Sequence, residues 1–381
     1  MTGWELFLVG WSGVAIVWWL LALGLLARGP RPKPVPAESV PASITVFKPL
    51  PPVEGEAERA ELAEGIASFI AQLRPEDEII LGVNEHAASE WESHFARWRA
   101  TWPAARIQVI RREVPSQHAN PKIAWLEVLA KSARGECWLW SDADVTVPPG
   151  FLHEAAALVG SADHTVTAAY VVRRVHHARG VLDALFVNVE FLPGVMLLDW
   201  LGRKDFAYGA VTVFRAETFR ARVDWTELGA ALADDHELGK RLKPVVLCPT
   251  LVETFTRPRA WSGAWQHYYR WQKTVRWCQP AGFGALVVLL PGLGWAGAVL
   301  ASDGARIFLC GLAGQWVIEM LVAVLACGIV GCRLPPRTWT GVMLWPFARA
   351  VTWLAVWLPL PAIWSGRERE WFAPKQPVDL S

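Results

Sequence analysis

Four long apolar stretches constrain this sequence more than any other feature. They run over residues 6–27, 281–302, 307–330 and 342–364. A helix needs roughly 20 apolar residues to cross a bilayer, so each stretch is long enough to span a membrane. The first is not a signal peptide, because its apolar run is too long, no basic region precedes it and basic residues follow it. It predicts a membrane anchor.

The basic residues after the first stretch predict the topology. Arg28, Arg31 and Lys33 lie in the cytoplasm by the positive-inside rule, so the roughly 250 residues before the second span form a cytosolic domain. Arg333 and Arg337 fall on the same side if each span crosses once. Prolines and an arginine interrupt the fourth stretch, which can re-enter or lie in the interface. The side of the C-terminal tail therefore stays open.

Composition excludes some partners and supports the membrane. With 37 basic and 36 acidic residues, the chain gives no sign of nucleic-acid binding. Its 24 tryptophans fit the membrane–water boundary. The six cysteines are scattered without a CxxC pair, so they indicate buried thiols rather than zinc ligands or a disulfide framework. The predicted segments are an anchor (1–28), a proline-rich linker (29–42), a cytosolic domain (43–258), an amphipathic interface helix (259–280), a membrane region (281–366) and a tail (367–381).

Strands and helices alternate along the cytosolic domain. Apolar runs predict strands at 43–50, 78–83, 106–111 and 137–140, and helical spacing predicts helices at 56–73, 90–102 and 122–132. The run at 78–83 lacks polar alternation, as expected for a strand covered on both faces. We therefore predict an α/β fold with a mostly parallel sheet, inserted between one N-terminal and about three C-terminal transmembrane helices.

Two aspartates follow the last predicted strand. Asp142 and Asp144 are two positions apart, so both side chains face one side of an extended backbone. In open α/β sheets, ligands bind beyond the carboxyl ends of the strands. Paired carboxylates there suit Mg²⁺ or Mn²⁺, which join protein oxygens to a diphosphate. The alternative is a simple turn, in which aspartate is common, but the apolar strand and the membrane tether favour the metal site.

A second acidic pair opens a short predicted helix. Asp234 and Asp235 precede His236 in a segment with helical character. One interpretation is helix capping, since acids are favoured at a helix N-terminus. The other makes Asp235 a general base that takes the proton of an attacking hydroxyl group. The residues alone do not decide between them.

Aromatic and basic residues interleave at 261–277, just before the second span. This pattern is typical of an interfacial helix with aromatic anchors and snorkelling bases. The same helix also offers Arg270 and Arg276 as ligands for a diphosphate leaving group.

Taken in order, these segments resemble the ceramide glucosyltransferase family and its bacterial relatives, including the hopanoid-associated glycosyltransferases. The resemblance covers nearly the whole chain. It rests on the following segments: the anchor, Val46-Phe-Lys-Pro-Leu50, Asn120-Pro-Lys-Ile123, Ser141-Asp-Ala-Asp144, Phe191-Leu-Pro-Gly-Val195, Asp234-Asp235, His267-Tyr-Tyr-Arg-Trp271, the C-terminal spans and Trp364-Ser-Gly-Arg-Glu-Arg369.

The resemblance implies a GT-A fold of the family 2 and 21 type and an inverting, metal-dependent transfer from a nucleotide sugar, typically UDP-glucose. It implies these roles: Asp142 and Asp144 for Mg²⁺ or Mn²⁺, Asp235 as catalytic base, and Lys48, Glu85, Lys122, Asp142, Arg270, Trp271 and Arg276 for the donor. Trp265, His267 and Tyr268 are expected at the acceptor and the membrane interface.

Two positions depart from the family pattern. Glu85 stands where the family has an aspartate after the second strand, which leaves its role open. His267 stands where the motif has glutamine or arginine, and a neutral imidazole is a weaker phosphate ligand.

Three functions are consistent with these observations. The first is a glycosyltransferase of the bacterial inner membrane that moves a sugar onto a lipid such as ceramide or a hopanoid. The second is a processive polysaccharide synthase, which needs more spans to form a channel. The third is a nucleotide-binding membrane transporter or scaffold, favoured by Glu319 within the third span, although a pair with Arg349 also explains that charge. The sugar, the lipid and the oligomeric state are not readable from the sequence.

Overall fold

The computed structural model describes residues 2–32, 43–53, 55–113, 115, 117–162, 164–175, 177–203, 205–231, 233–256, 260–302, 306–364 and 367–369. Most of the predicted linker (29–42) and tail (367–381) lies outside these residues. The chain forms two compact units. The sheet unit comprises Leu25–Arg174 and Phe191–Arg257, and the helical unit comprises Met1–Gly24, Val175–Glu190 and Pro258–Ser381.

The helices of both units have the following bounds: α1 (Gly3–Arg28), α2 (Glu56–Ile70), α3 (Ala88–Thr101), α4 (Pro121–Ala130), α5 (Phe151–Ala162), α6 (Val181–Leu185), α7 (Leu192–Trp200), α8 (Ala216–Arg222), α9 (Trp225–Gly229), α10 (Asp234–Arg241), α11 (Trp261–Cys278), α12 (Pro280–Ala285), α13 (Pro291–Ala301), α14 (Arg306–Ile329) and α15 (Trp339–Ala355). A π-helical turn, Phe186–Phe191, follows α6.

The strands have the following bounds: β1 (Ile44–Pro49), β2 (Glu78–Asn84), β3 (Arg106–Arg112), β4 (Cys137–Ser141), β5 (Val145–Thr146), β6 (Thr165–Ala168), β7 (Tyr170–Val172), β8 (Val211–Arg215), β9 (Val245–Leu247), β10 (Val252–Thr254), β11 (Ala362–Trp364) and β12 (Arg367–Arg369).

A seven-stranded sheet organises the sheet unit, in the order β3-β2-β1-β4-β8-β6-β9. Only β8 runs antiparallel to its neighbours, β4 and β6, and the other pairs are parallel. This confirms the predicted α/β class with a mostly parallel sheet. Because β1, β2 and β4 are adjacent and parallel, their carboxyl ends meet at one edge of the sheet.

Both faces of the sheet are buried, as the uninterrupted apolar run of β2 predicted. Ile79 and Leu81 pack with α2, α3 and α5, whereas Ile80 packs with α4 on the other face. Neighbouring strand residues point to opposite faces, so a strand between two helical layers needs apolar side chains at every position. The core therefore lies on both sides of the sheet.

The helical unit contains most of the long apolar helices. Among the described residues, three helices are long and apolar enough to span a membrane: Gly3–Arg28, Ala178–Trp200 and Arg306–Ile329. The first and third correspond to predicted spans. The helix Ala178–Trp200 was not among the predicted spans, and unlike the other two it is mostly buried.

The other two predicted spans differ from simple crossings. The second, 281–302, is a pair of shorter helices bent by 59° before Pro291, whose ring removes a backbone donor. Trp11 Nε1 donates to the carbonyl of Val288 at 2.8 Å, and Arg349 donates to that of Leu289 at 2.9 Å, so carbonyls at the bend are satisfied. In the fourth, 342–364, α15 ends at Ala355, ahead of the following prolines.

Candidate active site

The predicted DxD segment lies at the sheet edge where β1, β2 and β4 end. Asp142 and Asp144 follow β4 directly, and each side chain is half-buried. The backbone N–H of Asp142 donates to the carbonyl of Ala210 at 3.2 Å, which holds the start of the turn against the strand β8. The two carboxylates therefore stand at the ligand-binding edge that strand geometry predicted.

Lys48, near the end of β1, makes hydrogen bonds to the turn that carries Asp142 and Asp144. Its side chain is fully buried, and its ammonium donates to Ser141 Oγ at 2.9 Å and to the carbonyls of Asp142 and Val145 at 2.6 and 3.3 Å. Burial lowers the pKa of Lys48 to about 7, although Asp144 and Asp142 oppose the shift. Lys48 thus acts on the backbone of the turn that carries the two aspartates.

Lys122 joins two motifs that are far apart in sequence. Its Nζ lies 2.7 Å from Asp142 Oδ1 and 3.4 Å from Asp234 Oδ2. Burial lowers the pKa of Lys122, but the carboxylates of Asp142 and Asp234 outweigh this and raise it above its ordinary value. Lys122 is consequently a permanent cation between the DxD segment and the start of α10.

The start of α4 fixes Lys122 in place. Asn120 is the N-cap, and its side-chain oxygen accepts from the backbone N–H groups of Lys122 at 3.0 Å and Ile123 at 3.4 Å. Pro121 follows at the first helical position, where its missing donor costs nothing. The amide of Asn120 also donates to Asp234 Oδ1 at 3.3 Å, so Asp234 contacts two residues of this segment.

Asp235 lies next to this group. Its Oδ1 accepts from the N–H of His236 at 2.8 Å. Burial raises the pKa of Asp235 to about 7, with a further contribution from the negative charge of Asp234, while Lys122 opposes the shift. A carboxyl group with a pKa near neutrality is suited to accept a proton in a reaction. At Gly209, a Cβ atom would lie 3.0 Å from Asp235 Oδ2, so glycine leaves room for this carboxylate.

Glu85 lies at the same edge of the sheet as the aspartates. It is the first residue of a short helical turn after β2, and its side chain is exposed. The side chain of Asn84 caps this turn by accepting from the N–H of His86 at 3.1 Å. The structure therefore puts Glu85 on the surface of the edge, and its contact with a donor stays a prediction.

The remaining predicted residues belong to α11 in the helical unit. Two of them pair with the segment 175–190: His267 Nδ1 lies 2.9 Å from Asp183, and Tyr268 donates to Glu190 at 2.8 Å. The ring of Trp271 stacks on Phe186 at 4.9 Å.

Three further α11 residues complete the predicted set. Arg276 donates to the carbonyl of Val356 at 2.9 Å and lies over the ring of Trp357. Trp265 and Arg270 are half-buried. These contacts are internal to the helical unit, so the roles predicted for α11 in donor and acceptor binding stay predictions.

The carboxylates fit a metal ion that is bound jointly with a diphosphate. Among the described residues, no group of three or more His, Cys, Asp or Glu side chains is arranged to hold a metal. Mg²⁺ is commonly bound by one or two carboxylates together with substrate phosphates, without a complete protein cage. Asp142 and Asp144 supply that partial set of hard oxygen ligands.

Some contributors to the site were missed in the sequence. Gly209 precedes the strand β8 and gave no signal beyond being a glycine at a strand start. Asp234 was noted only beside Asp235, and its bonds to Asn120 and Lys122 require the fold to bring together segments more than a hundred residues apart.

A comparison with models of known protein families found a match to the chain. The family model described as "Glycosyl transferase family 21" matches residues 6–371. With the mostly parallel sheet, this confirms the family resemblance and the predicted GT-A fold class. No curated protein matches the chain.

Solved structures resemble the chain at low identity. A mannosyltransferase, PcManGT from Pyrobaculum calidifontis in complex with GDP-Man and Mn²⁺, is 17% identical with a TM-score of 0.46, covering 92% of this chain and 99% of that one. GalNAc-T7 with UDP, GalNAc and Mn²⁺ is 13% identical with a TM-score of 0.40, covering 62% of this chain and 50% of that one.

Proposed function

This chain belongs to glycosyl transferase family 21, and from that premise we propose that it is a membrane-bound, inverting lipid glycosyltransferase. It moves a sugar, glucose or a related hexose, from a UDP-sugar onto the hydroxyl group of a membrane lipid such as ceramide or a hopanoid. One observation carries the proposal. Lys122 contacts both Asp142 and Asp234, so carboxylates of two separate motifs stand together at the ligand-binding edge of the sheet.

The donor site in this proposal uses the sheet edge. Asp142 and Asp144 would hold Mg²⁺ or Mn²⁺ together with the diphosphate, and a bound metal would supply charge stabilisation for the leaving group. Lys48 fixes the turn that carries both aspartates through its bonds to the turn backbone. Lys122 and Glu85 contact the donor, and the family resemblance predicts donor contacts for Arg270, Trp271 and Arg276 of α11 as well.

Asp235 is the general base in this proposal. The acceptor hydroxyl loses its proton as its oxygen attacks the anomeric carbon, and a carboxylate within hydrogen-bond reach takes that proton. The pKa of about 7 supports this role, because about half of such carboxyl groups are ionised at neutral pH and the ionised form is basic enough to bind a proton. Direct attack of the acceptor on the opposite face from the leaving group gives inversion.

The membrane part of the proposal rests on the apolar helices. Three described helices are long and apolar enough to span a bilayer, which supports an integral membrane protein. The location we propose for it is the bacterial inner membrane, with the sheet unit in the cytosol as the basic residues after the first span predict. Trp265, His267 and Tyr268 of α11 lie at the interface, where a lipid hydroxyl group is presented. The amphipathic sequence of α11 supports this placement.

The alternatives are weaker on specific grounds. A processive synthase needs a channel, and few spans are present among the described helices. A transporter was favoured by the charge of Glu319, but Glu319 accepts from Arg349 at 2.9 Å and from Gln315 at 3.0 Å. Those bonds give the charge a structural role within the helical unit.

Mass spectrometry of lipid extracts tests the proposal. Cells that express the chain should contain a lipid whose mass is raised by one hexose, and cells that express the Asp235→Asn variant should lack it. The mass of the product identifies the acceptor in the same measurement. Consumption of UDP-sugar with no change in any lipid would contradict the lipid acceptor, and solute uptake into liposomes without sugar transfer would favour the transporter.

A further inference from the structure

The position of Lys122 bears on metal binding as well as on the transfer reaction. It lies 2.7 Å from Asp142 Oδ1, so a cation of the protein already occupies one of the two carboxylates that are proposed to hold the metal. Metal binding by that oxygen and ion pairing with Lys122 are in competition. Whether the metal binds depends on which other groups the ammonium of Lys122 can contact when it leaves Asp142.

We propose that Lys122 makes metal binding depend on the diphosphate: it holds Asp142 when the donor is absent and turns to the diphosphate when metal and donor enter together. This inference rests on the proposed metal role of Asp142 and Asp144. It assigns Lys122 a role in binding order that neither motif alone suggests.

The surroundings of Lys122 support an exchange of partners. Its backbone is held by the cap of α4, so the ammonium moves only through rotation of its side chain. Asp234 at 3.4 Å remains as a second partner when Asp142 is released, so the charge is not left unpaired. A lysine ammonium is a compact charge on a flexible stem that readily contacts phosphate oxygens.

The binding of metal and the binding of diphosphate are coupled because they leave Lys122 with different partners. A free metal ion must separate Lys122 from Asp142 and leaves the ammonium with Asp234 alone, whereas a metal bound to a diphosphate brings oxygens that replace Asp142 as partners of the ammonium. Coupling of this kind is reciprocal, so the diphosphate also binds more tightly when the metal is present. The donor-free protein then binds free metal ions only weakly.

Manganese titration of the full chain in detergent, followed by electron paramagnetic resonance, tests the inference without measuring turnover. The wild-type chain should bind Mn²⁺ weakly alone and much more tightly with UDP. In Lys122→Met, Mn²⁺ alone should bind about tenfold more tightly, and the gain from UDP should shrink by a similar factor. Lys122→Arg, which keeps the charge, should bind Mn²⁺ alone as weakly as wild type.

Lys131→Met is the matched control, since it removes the same charge from the exposed C-terminal end of α4 and should match wild type. Lys122→Gln gives a second neutral variant in case Lys122→Met does not fold. Unchanged affinity for Mn²⁺ alone in the neutral variants, with UDP still enhancing the wild type, overturns this inference and leaves the proposed function intact. Absence of Mn²⁺ binding to wild type with UDP overturns the metal role itself.

Discussion

Two basic residues, Lys122 and Arg349, each lie between carboxylates, but in different environments. Lys122 contacts Asp142, whose side chain is 41% exposed, and Asp234 at the open edge of the sheet. In the helical unit, Arg349 contacts Glu319 at 2.9 Å and approaches Glu190 at 3.9 Å, and the side chains of Arg349 and Glu319 are only 5% and 4% exposed.

In the helical unit, Arg349, Glu319 and Glu190 make hydrogen bonds with neighbouring residues of the same unit. Arg349 also donates to the carbonyl of Leu289 and lies over the rings of Trp19 and Trp345. Glu190 accepts from Tyr268 at 2.8 Å and from Gln272 at 3.0 Å. A closed polar network in an apolar environment holds helices together, whereas partly exposed carboxylates remain available to a ligand. We therefore expect that removal of a charge at the sheet edge abolishes activity, whereas removal of a charge in the helical unit lowers the free energy of unfolding.

The largest effect is expected from Asp144→Ala. Loss of this ligand should reduce transfer to background, while thermal stability stays near that of wild type because the side chain is half-buried at an edge. Transfer rates and unfolding midpoints of the same preparations test both parts. Addition of EDTA should inhibit the wild type equally, and full activity in EDTA would disprove the metal role and remove one side of the comparison.

Asp235→Asn is expected to lower turnover by about a thousandfold, since the proton acceptor is lost and the amide keeps the shape of the side chain. Donor affinity should hardly change. Steady-state kinetics that separate kcat from donor KM measure this. Glu237→Gln changes a half-buried carboxylate of the same helix α10 that pairs with Lys240 and Arg241, and it should leave turnover within about twofold. A collapse of donor affinity in Asp235→Asn would instead place this aspartate in the donor site.

Arg349→Met tests the other side of the comparison. It leaves Glu319 buried without its charged partner, which should cost about 3 kcal/mol of folding stability. The double variant Arg349→Met with Glu319→Met should recover part of that loss, because no charge is then unpaired. Denaturant unfolding in detergent measures both variants. Wild-type stability combined with lost transfer would show that Arg349 serves function and that the two clusters are more alike than their burial suggests.

The sequence predicted the sheet edge better than the helical unit. Apolar strands ending in acids locate Asp142 and Asp144 because strand geometry and the ligand-binding edge are general rules. The bond from Lys122 to Asp234 depends on how α4 and α10 approach each other, which no local pattern encodes. Prolines in the fourth stretch indicated an interruption near the end of α15, whereas the bend before Pro291 was not predicted, and the bonds that stabilise it come from Trp11 and Arg349, far away in sequence.

The pH dependence of turnover should report the raised pKa of Asp235. Below about pH 7 this carboxyl group holds its proton and cannot accept another, so kcat should fall about tenfold per pH unit on the acid side and level off above pH 7. Asp234→Asn removes a negative charge that raises this pKa, so the acid limb should move to lower pH. A pH profile identical in both proteins would show that a different group is titrating.

The smallest effect is expected from Gly209→Ala, which adds one methyl group beside the proposed base. The new Cβ would lie 3.0 Å from Asp235 Oδ2, closer than an ordinary van der Waals contact, so the carboxylate must shift by a few tenths of an ångström. Misplacement of a base on this scale should lower kcat by about tenfold or less, with donor KM unchanged. Gly194→Ala, where no atom lies within 4 Å of the added Cβ, is the matched control and should keep wild-type kcat. Equal kcat in both variants would mean that the Asp235 carboxylate tolerates displacement, and that the open edge of the sheet is less rigid than the closed network around Arg349.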